Sequence, residues 1–255
     1  MKPLRTNFEK RETIAAFIAS RRPTEATVDE RSAIELATRF RDFIEAREFP
    51  CVGAKSALGR DQMTAFVASD LQSAWDDVAL VRELVEFAHF YAKHRPMFAT
   101  FVTFFPLTQP LTEEQFERAL WERIASLQAK DEWLGQQYDE AVSDDPTSPN
   151  FSLSFGGQSF FIVGMHPQAS RPARRFDVPA LVFNLHDQFE RLRAAGRYEK
   201  LRKSILDRDE KLAGTVNRML ARHGEQSEAR QYSGRIVGED WECPWPGRNL
   251  DCASS

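Results

Sequence analysis

The stretch NFSLSFGGQSFFIVGMH, residues 150–166, holds two apolar, strand-like runs on either side of Gly156 and Gly157. A glycine pair between such runs is a hairpin signal, because both central residues of a tight type I′ turn need positive φ. A lone hairpin is barely stable in water, so further strands are required. Reading outward, PALVFNLH (179–186) supplies one on the C-terminal side. MFATFVTFF (97–105) and FPCVGAK (49–55) supply two more on the N-terminal side, each short, aromatic or β-branched, and next to proline.

Helical periodicity fills the intervals. TVDERSAIELATRFRDFIEAREF opens with Thr27 and Glu30 in capping-box order and repeats Ile34, Ala37, Phe40 and Ile44. In AWDDVALVRELVEFAHFYAKHR, the residues Val78, Val81, Leu84, Val85, Ala88 and Tyr91 are expected to share one face. Thr112 and Gln115 cap a third helix carrying Phe116, Leu120, Ile124 and Leu127. After the last strand, DQFERLRAAGRYEKLRKSILDRDEKLAGTVNRMLARHG is helical again with a long solvated face. The expectation is an α+β fold, with a mixed, largely antiparallel sheet of about five strands flanked by helices. The chain reads as a single domain over 1–255, its N-terminal helices (1–48) packed on the rest. AVSDDPTSPN (141–150) is a turn-rich loop, and no repeat or linker interrupts the pattern.

With 42% hydrophobic and 28% charged residues, the composition is that of an ordinary globular chain. A net charge of -4 removes the concentrated basic field that nucleic acid or an anionic membrane requires of its main partner. No run reaches the roughly 18 apolar residues of a membrane span, and MKPLRTNFEKRE has no signal-peptide core, so a cytoplasmic protein is expected. A homodimer is compatible with all of this. Cys51, Cys243 and Cys252 cannot all pair and lack zinc-knuckle spacing. The motifs GxxxxGK[ST], GxGxxG, HExxH and GxSxG are absent.

A smaller set of residues invites chemistry. His166 ends the apolar run of the hairpin and is fixed in extended backbone by Pro167. It is either a satisfied polar residue or a ligand projecting into a cavity, with His186 at the end of the next strand as the second choice. His89, His94 and His223 lie on or at the ends of helices, where packing or capping explains them. Arg171, Arg174 and Arg175 follow His166 in a proline-restricted loop. They read as a surface ion-pair loop or as forked anchors for a ligand with acid groups. Haem has that need: one axial nitrogen or sulfur, an apolar wall, and cations for two propionates. Cys51, with Lys55 four residues on, is a buried small hydrophobe or a cation-stabilised thiolate.

The strings FPCVGAK, SDDPTSPNFSLSFGGQSFFIVGMHPQASRPARRF, PALVFNLHDQFERLRAAGRYEKLR and SEARQYSGR, in this order, resemble the YqcI/YcgG family over about Phe49 to Pro244. That family includes haem-dependent N-hydroxylases of natural-product pathways acting on arginine or guanidines derived from it. The resemblance therefore implies haem b, O2, an external electron donor or reductase, and a small guanidine or amino-acid substrate. His166 is the expected axial ligand, with Cys51 and His186 as alternatives and Arg171, Arg174, Arg175, Lys55 and Arg230 as cations around the cofactor. A guanidinium needs carboxylates, for which Asp145 comes first and Glu228 second, ahead of Asp144 and Glu225. Tyr232, between Arg230 and Arg235, either receives the substrate or docks the C-terminal tail. A non-catalytic haem carrier or sensor and a cofactor-free interaction protein are the readings from other classes.

Overall fold

The computed structural model describes residues 30–217, 219 and 226–245. Thr27, His223, Glu225 and Cys252 lie outside these residues. Seven helices are described: α1 (Glu30–Glu45), α2 (Val52–Gly59), α3 (Asp77–His94), α4 (Glu113–Trp133), α5 (His186–Ala194), α6 (Tyr198–Ala213) and α7 (Ala229–Tyr232). Five strands, β1 (Met63–Val67), β2 (Thr100–Phe104), β3 (Leu153–Phe155), β4 (Gln158–Met165) and β5 (Ala180–Leu185), form one sheet in the order β1-β2-β5-β4-β3. Only β1 and β2 run parallel, joined by α3 as a helical crossover; the other three pairings are antiparallel. The fold is α+β with a mixed, largely antiparallel sheet.

Alternation along the strands gives each face its own core. On the first face, Phe66, Phe101, Phe183, Phe160, Ile162, Leu153 and Phe155 pack under α3 and α4. The second face presents Met63, Val102, Phe104, Val182, Ala180 and Met165 to α1, α2 and Phe176. Phe40 of α1 meets Phe104 and Phe176 edge-on, both at 5.0 Å, the geometry that aromatic quadrupoles favour. A buried ion pair between Asp77 and Arg123 ties α3 to α4, and Ser126 Oγ donates to the same carboxylate at 2.5 Å.

The hairpin forms as expected, with Gly156 at φ +56° and Gly157 at φ +73°. The Thr112–Gln115 capping box opens α4. Two expectations are corrected. FPCVGAK is not a strand: Cys51 caps α2, its sulfur accepting from the Ala54 N–H at 3.4 Å. Only Val52 in that run is β-branched, and Ala54 and Ala57 are strong helix formers once Cys51 caps the turn. The fifth strand is instead MTAFV, too short to stand out by periodicity. On α3, Val78 is 41% exposed, while Leu80 and Phe87 take buried places.

Candidate functional site

The segment after β4 folds back on itself. The His166 N–H donates to the Arg174 carbonyl at 3.0 Å, and the imidazole lies flat on Phe116 with centroids 4.2 Å apart. The ring is 1% exposed and its Nδ1 has no hydrogen-bond partner. Burial pushes its pKa down to about 4, so the ring is neutral at pH 7. The three arginines hold the loop. Arg171 pairs with Asp209 of α6 and donates to the Thr215 carbonyl at 3.2 Å. Arg174 donates to the carbonyls of Gly164 (3.1 Å), Tyr232 (2.9 Å) and Gln231 (2.8 Å), and burial lowers its pKa to about 10. Arg175 donates to Ala169 and Ser170 carbonyls.

The C-terminal segment covers the outer edge of β4. Tyr232 is wholly buried, stacked on Trp121 at 5.5 Å, and its hydroxyl donates to Glu228 Oε1 at 2.5 Å. Burial raises the Glu228 carboxyl to about 7. Tyr232 also reaches the Phe160 carbonyl at 3.3 Å. This acid–phenol pair thus sits at the Phe160 end of the strand, about 20 Å along β4 from His166 at about 3.3 Å per residue. Arg230 donates to Gly238 and lies over the Trp241 ring, while Arg235 grips Glu117 at 2.5–2.9 Å; both dock the tail. Asp145 is exposed in the loop before β3, where it accepts from the Thr147 N–H (2.9 Å) and hydroxyl (2.8 Å), contacts that lower its pKa. Asp144 is exposed beside it, and His186 is buried as the first residue of α5.

Cys51 lies on the other face of the sheet, against the core under α1 and α2. Burial raises its thiol pKa above the ordinary value. Lys55 turns away from it, donating to the carbonyl of Ala46 at 2.6 Å, just past the end of α1. Arg208 of α6 donates to the carbonyls of Arg47 (2.7 Å) and Phe49 (3.0 Å). Because Asp209 holds Arg171, two consecutive residues of α6 join the FPCVGAK corner to the loop after His166.

Helix α6 is propped on α2, α5 and the 3-10 turn Pro172–Arg174. The register aligns Met63, Thr100, Asn184 and Phe161 in one row across the sheet, and Ala65, Val102, Val182 and Val163 in the next. Phe161, Val163 and Asn184 are half-buried, as are Leu201, Ser204 and Ile205 of α6; beyond Phe160 β4 has no β3 partner, and the Phe161 ring packs edge-on against Tyr232 at 5.4 Å and Phe189 of α5 at 6.4 Å. An antiparallel sheet can leave part of one face open to water, and Cys51 packs into the second-face core that includes Val163 and Val182. A family model described as YqcI/YcgG matches residues 40–246. The chain belongs to the YqcI/YcgG family. No curated protein and no solved structure matched in comparison. The family match spans both the Cys51 corner and the His166 loop, which sequence spacing alone could not relate. Asn184, Phe161 and α6 went unnoticed as site elements because their signal is incomplete burial, a property of packing. Among the described residues, no group of three or more His, Cys, Asp or Glu side chains is arranged to hold a metal ion.

Proposed function

We propose that this YqcI/YcgG protein is a haem-dependent oxygenase that hydroxylates a guanidine nitrogen, with haem b seated on the half-covered second face. The observation that carries the reading is a thiol packed into the apolar core of the second face, the cluster that also holds Val163 and Val182. His166 does not fit the axial role, since its ring is closed against Phe116 and its neighbouring arginines are committed to Asp209 and to backbone carbonyls. Cys51 does fit. Its sulfur accepts from the Ala54 N–H at the positive end of α2, and loss of the proton to a metal would offset the burial that raises its thiol pKa.

Bound there, haem supplies O2 activation with electrons from an external donor, and a thiolate ligand favours O–O cleavage. The chain's part would be to ligate through Cys51 Sγ and to wall the group with the second-face residues Val163 and Val182, keeping water from it. A non-catalytic haem carrier is the second reading. It is favoured by the placement of the two expected acids, since Asp145 lies in an exposed turn and Glu228 is taken by Tyr232.

Hemin titration should saturate at one equivalent with a thiolate-type Soret spectrum. Cys51→Ala should lose that signature and His166→Ala should keep it. A chain that takes up no hemin overturns the proposal, and the reverse mutant pattern moves the ligand to His166.

A further inference from the structure

β1 stands at one edge of the sheet and pairs only with β2. The Thr100 N–H donates to the Gln62 carbonyl and the Ala68 N–H to the Phe104 carbonyl, both at 2.9 Å. With Met63 opposite Thr100, this phase of a parallel ladder turns the backbone groups of Thr64 and Phe66 toward β2 and those of Met63, Ala65 and Val67 outward. Among the described residues, no backbone or side-chain group pairs with these outward N–H and C=O groups. Sheet edges are ordinarily blunted by charge, proline, a bulge or a covering segment. Here QMTAFVAS (62–69) carries no charge and no proline, and the ladder runs without a bulge. Thr64, Ala65 and Val67 are half-buried rather than closed over.

One partner fits this edge in both backbone and charge: the same strand run antiparallel. Setting Ala65 opposite its own copy across a two-fold axis sets Met63 opposite Val67, so all three outward residues of each copy exchange N–H···O=C bonds. The side chains then meet as Met63 with Val67 on the second face and Thr64 with Phe66 on the first, pairs that suit a pleated surface. A shift of two residues would leave one outward residue of each copy unpaired. Arg60 and Asp70 lie equally far before and after Ala65, so this register also brings the basic end of each copy to the acidic end of the other. Arg60 is exposed, whereas Asp61 beside it keeps a carboxylate oxygen buried.

We propose that β1 is a self-association edge: two copies of this chain pair through it, antiparallel about Ala65, and join their sheets into one. The pairing needs neither haem nor substrate.

The test is sedimentation of the full chain over a concentration series, with thermal unfolding to verify that each variant is folded. The wild type should pass reversibly from 29.2 kDa to twice that mass as its concentration rises. Ala65→Pro deletes an outward N–H and leaves the bonds to β2 in place, a position where an edge strand tolerates proline. It should weaken the dimer by about tenfold to a hundredfold, one hydrogen bond being lost from each copy. Arg60→Asp and Asp70→Arg each set like charges together and should weaken it too. The double variant Arg60→Asp/Asp70→Arg restores the opposition and should recover the dimer, which a folding defect would not do. A chain that stays at 29.2 kDa at every concentration overturns the proposal. So does a dimer that Ala65→Pro and the charge exchanges leave unchanged, since it must form through another surface. Slow amide exchange at Met63, Ala65 and Val67 in a monomer would show the edge taken by another part of the same chain, and overturns it as well.

Discussion

Glu228 and His166 are both buried titratable groups, and burial moves each toward its neutral form. The Glu228 carboxyl stands near 7, above its ordinary 4.5, so the folded chain keeps a proton that the unfolded chain releases. The stability it contributes is complete below about pH 4.5 and is lost as pH rises to about 7. Glu228→Gln keeps an acceptor for the Tyr232 hydroxyl and has no proton to lose. Relative to wild type it should gain roughly 3 kcal/mol across that interval, seen as diverging urea midpoints between pH 4.5 and 7.5; parallel midpoints would contradict a buried neutral acid. His166 has the opposite sign. Its pKa of about 4 lies below the ordinary 6.5, so its contribution is full above pH 6.5 and falls away toward pH 4. Its imidazole resonances should remain those of a neutral ring down to about pH 4, and an NMR midpoint near 6.5 would show an open, solvated ring. Neither residue's state was legible in the sequence. His166 was picked out by its place at the end of an apolar run, but the Phe116 face that closes it comes from a helix fifty residues earlier.

The hairpin and the capping box were readable because their determinants are local: Gly156 and Gly157 set the turn, and Thr112 with Gln115 sets the start of α4. FPCVGAK was misread for the converse reason. A seven-residue run with one β-branched side chain is decided by its cap and by α6, whose Arg208 holds the preceding carbonyls. The loop after His166 shows the same dependence on distant partners. Arg174 crosses the face of Gly234, which has φ +83° and where an added Cβ would lie 2.6 Å from Arg174 Cδ. Gly234→Ala should therefore impose a left-handed backbone cost and displace the guanidinium from Gly164, Gln231 and Tyr232 carbonyls. A loss of about 2–4 kcal/mol is expected in denaturant unfolding. A loss below about 1 kcal/mol would mean that Arg174 can leave those carbonyls freely.

At the level of the whole molecule, the two faces of the sheet are closed to different degrees. The first carries two long helices and a continuous aromatic core, whereas on the second Phe40, Ile44, Ala57 and Leu58 of α1 and α2 join Met63, Phe104, Val182 and Met165, and α6 leans on α2, α5 and the turn Pro172–Arg174. Alternation along each strand was legible, which gave the fold class. Unequal coverage was not, because it depends on where helices α2, α5 and α6 lean. The asymmetry predicts where a ligand is felt. Amide exchange is slowed most where binding raises the free energy of local opening. Hemin on the second face should therefore protect α2 (52–59), α6 (198–213) and the start of α5, leaving α4 and the segment 226–235 near their unliganded rates. If His166 held the group, protection would instead fall on residues 160–176 and the first turn of α4, where Phe116 covers the imidazole. Hydrogen exchange read by mass spectrometry with and without one equivalent of hemin separates the two patterns by peptide. Protection confined to the second pattern would remove the half-covered face as the binding site while keeping the fold and the family assignment intact.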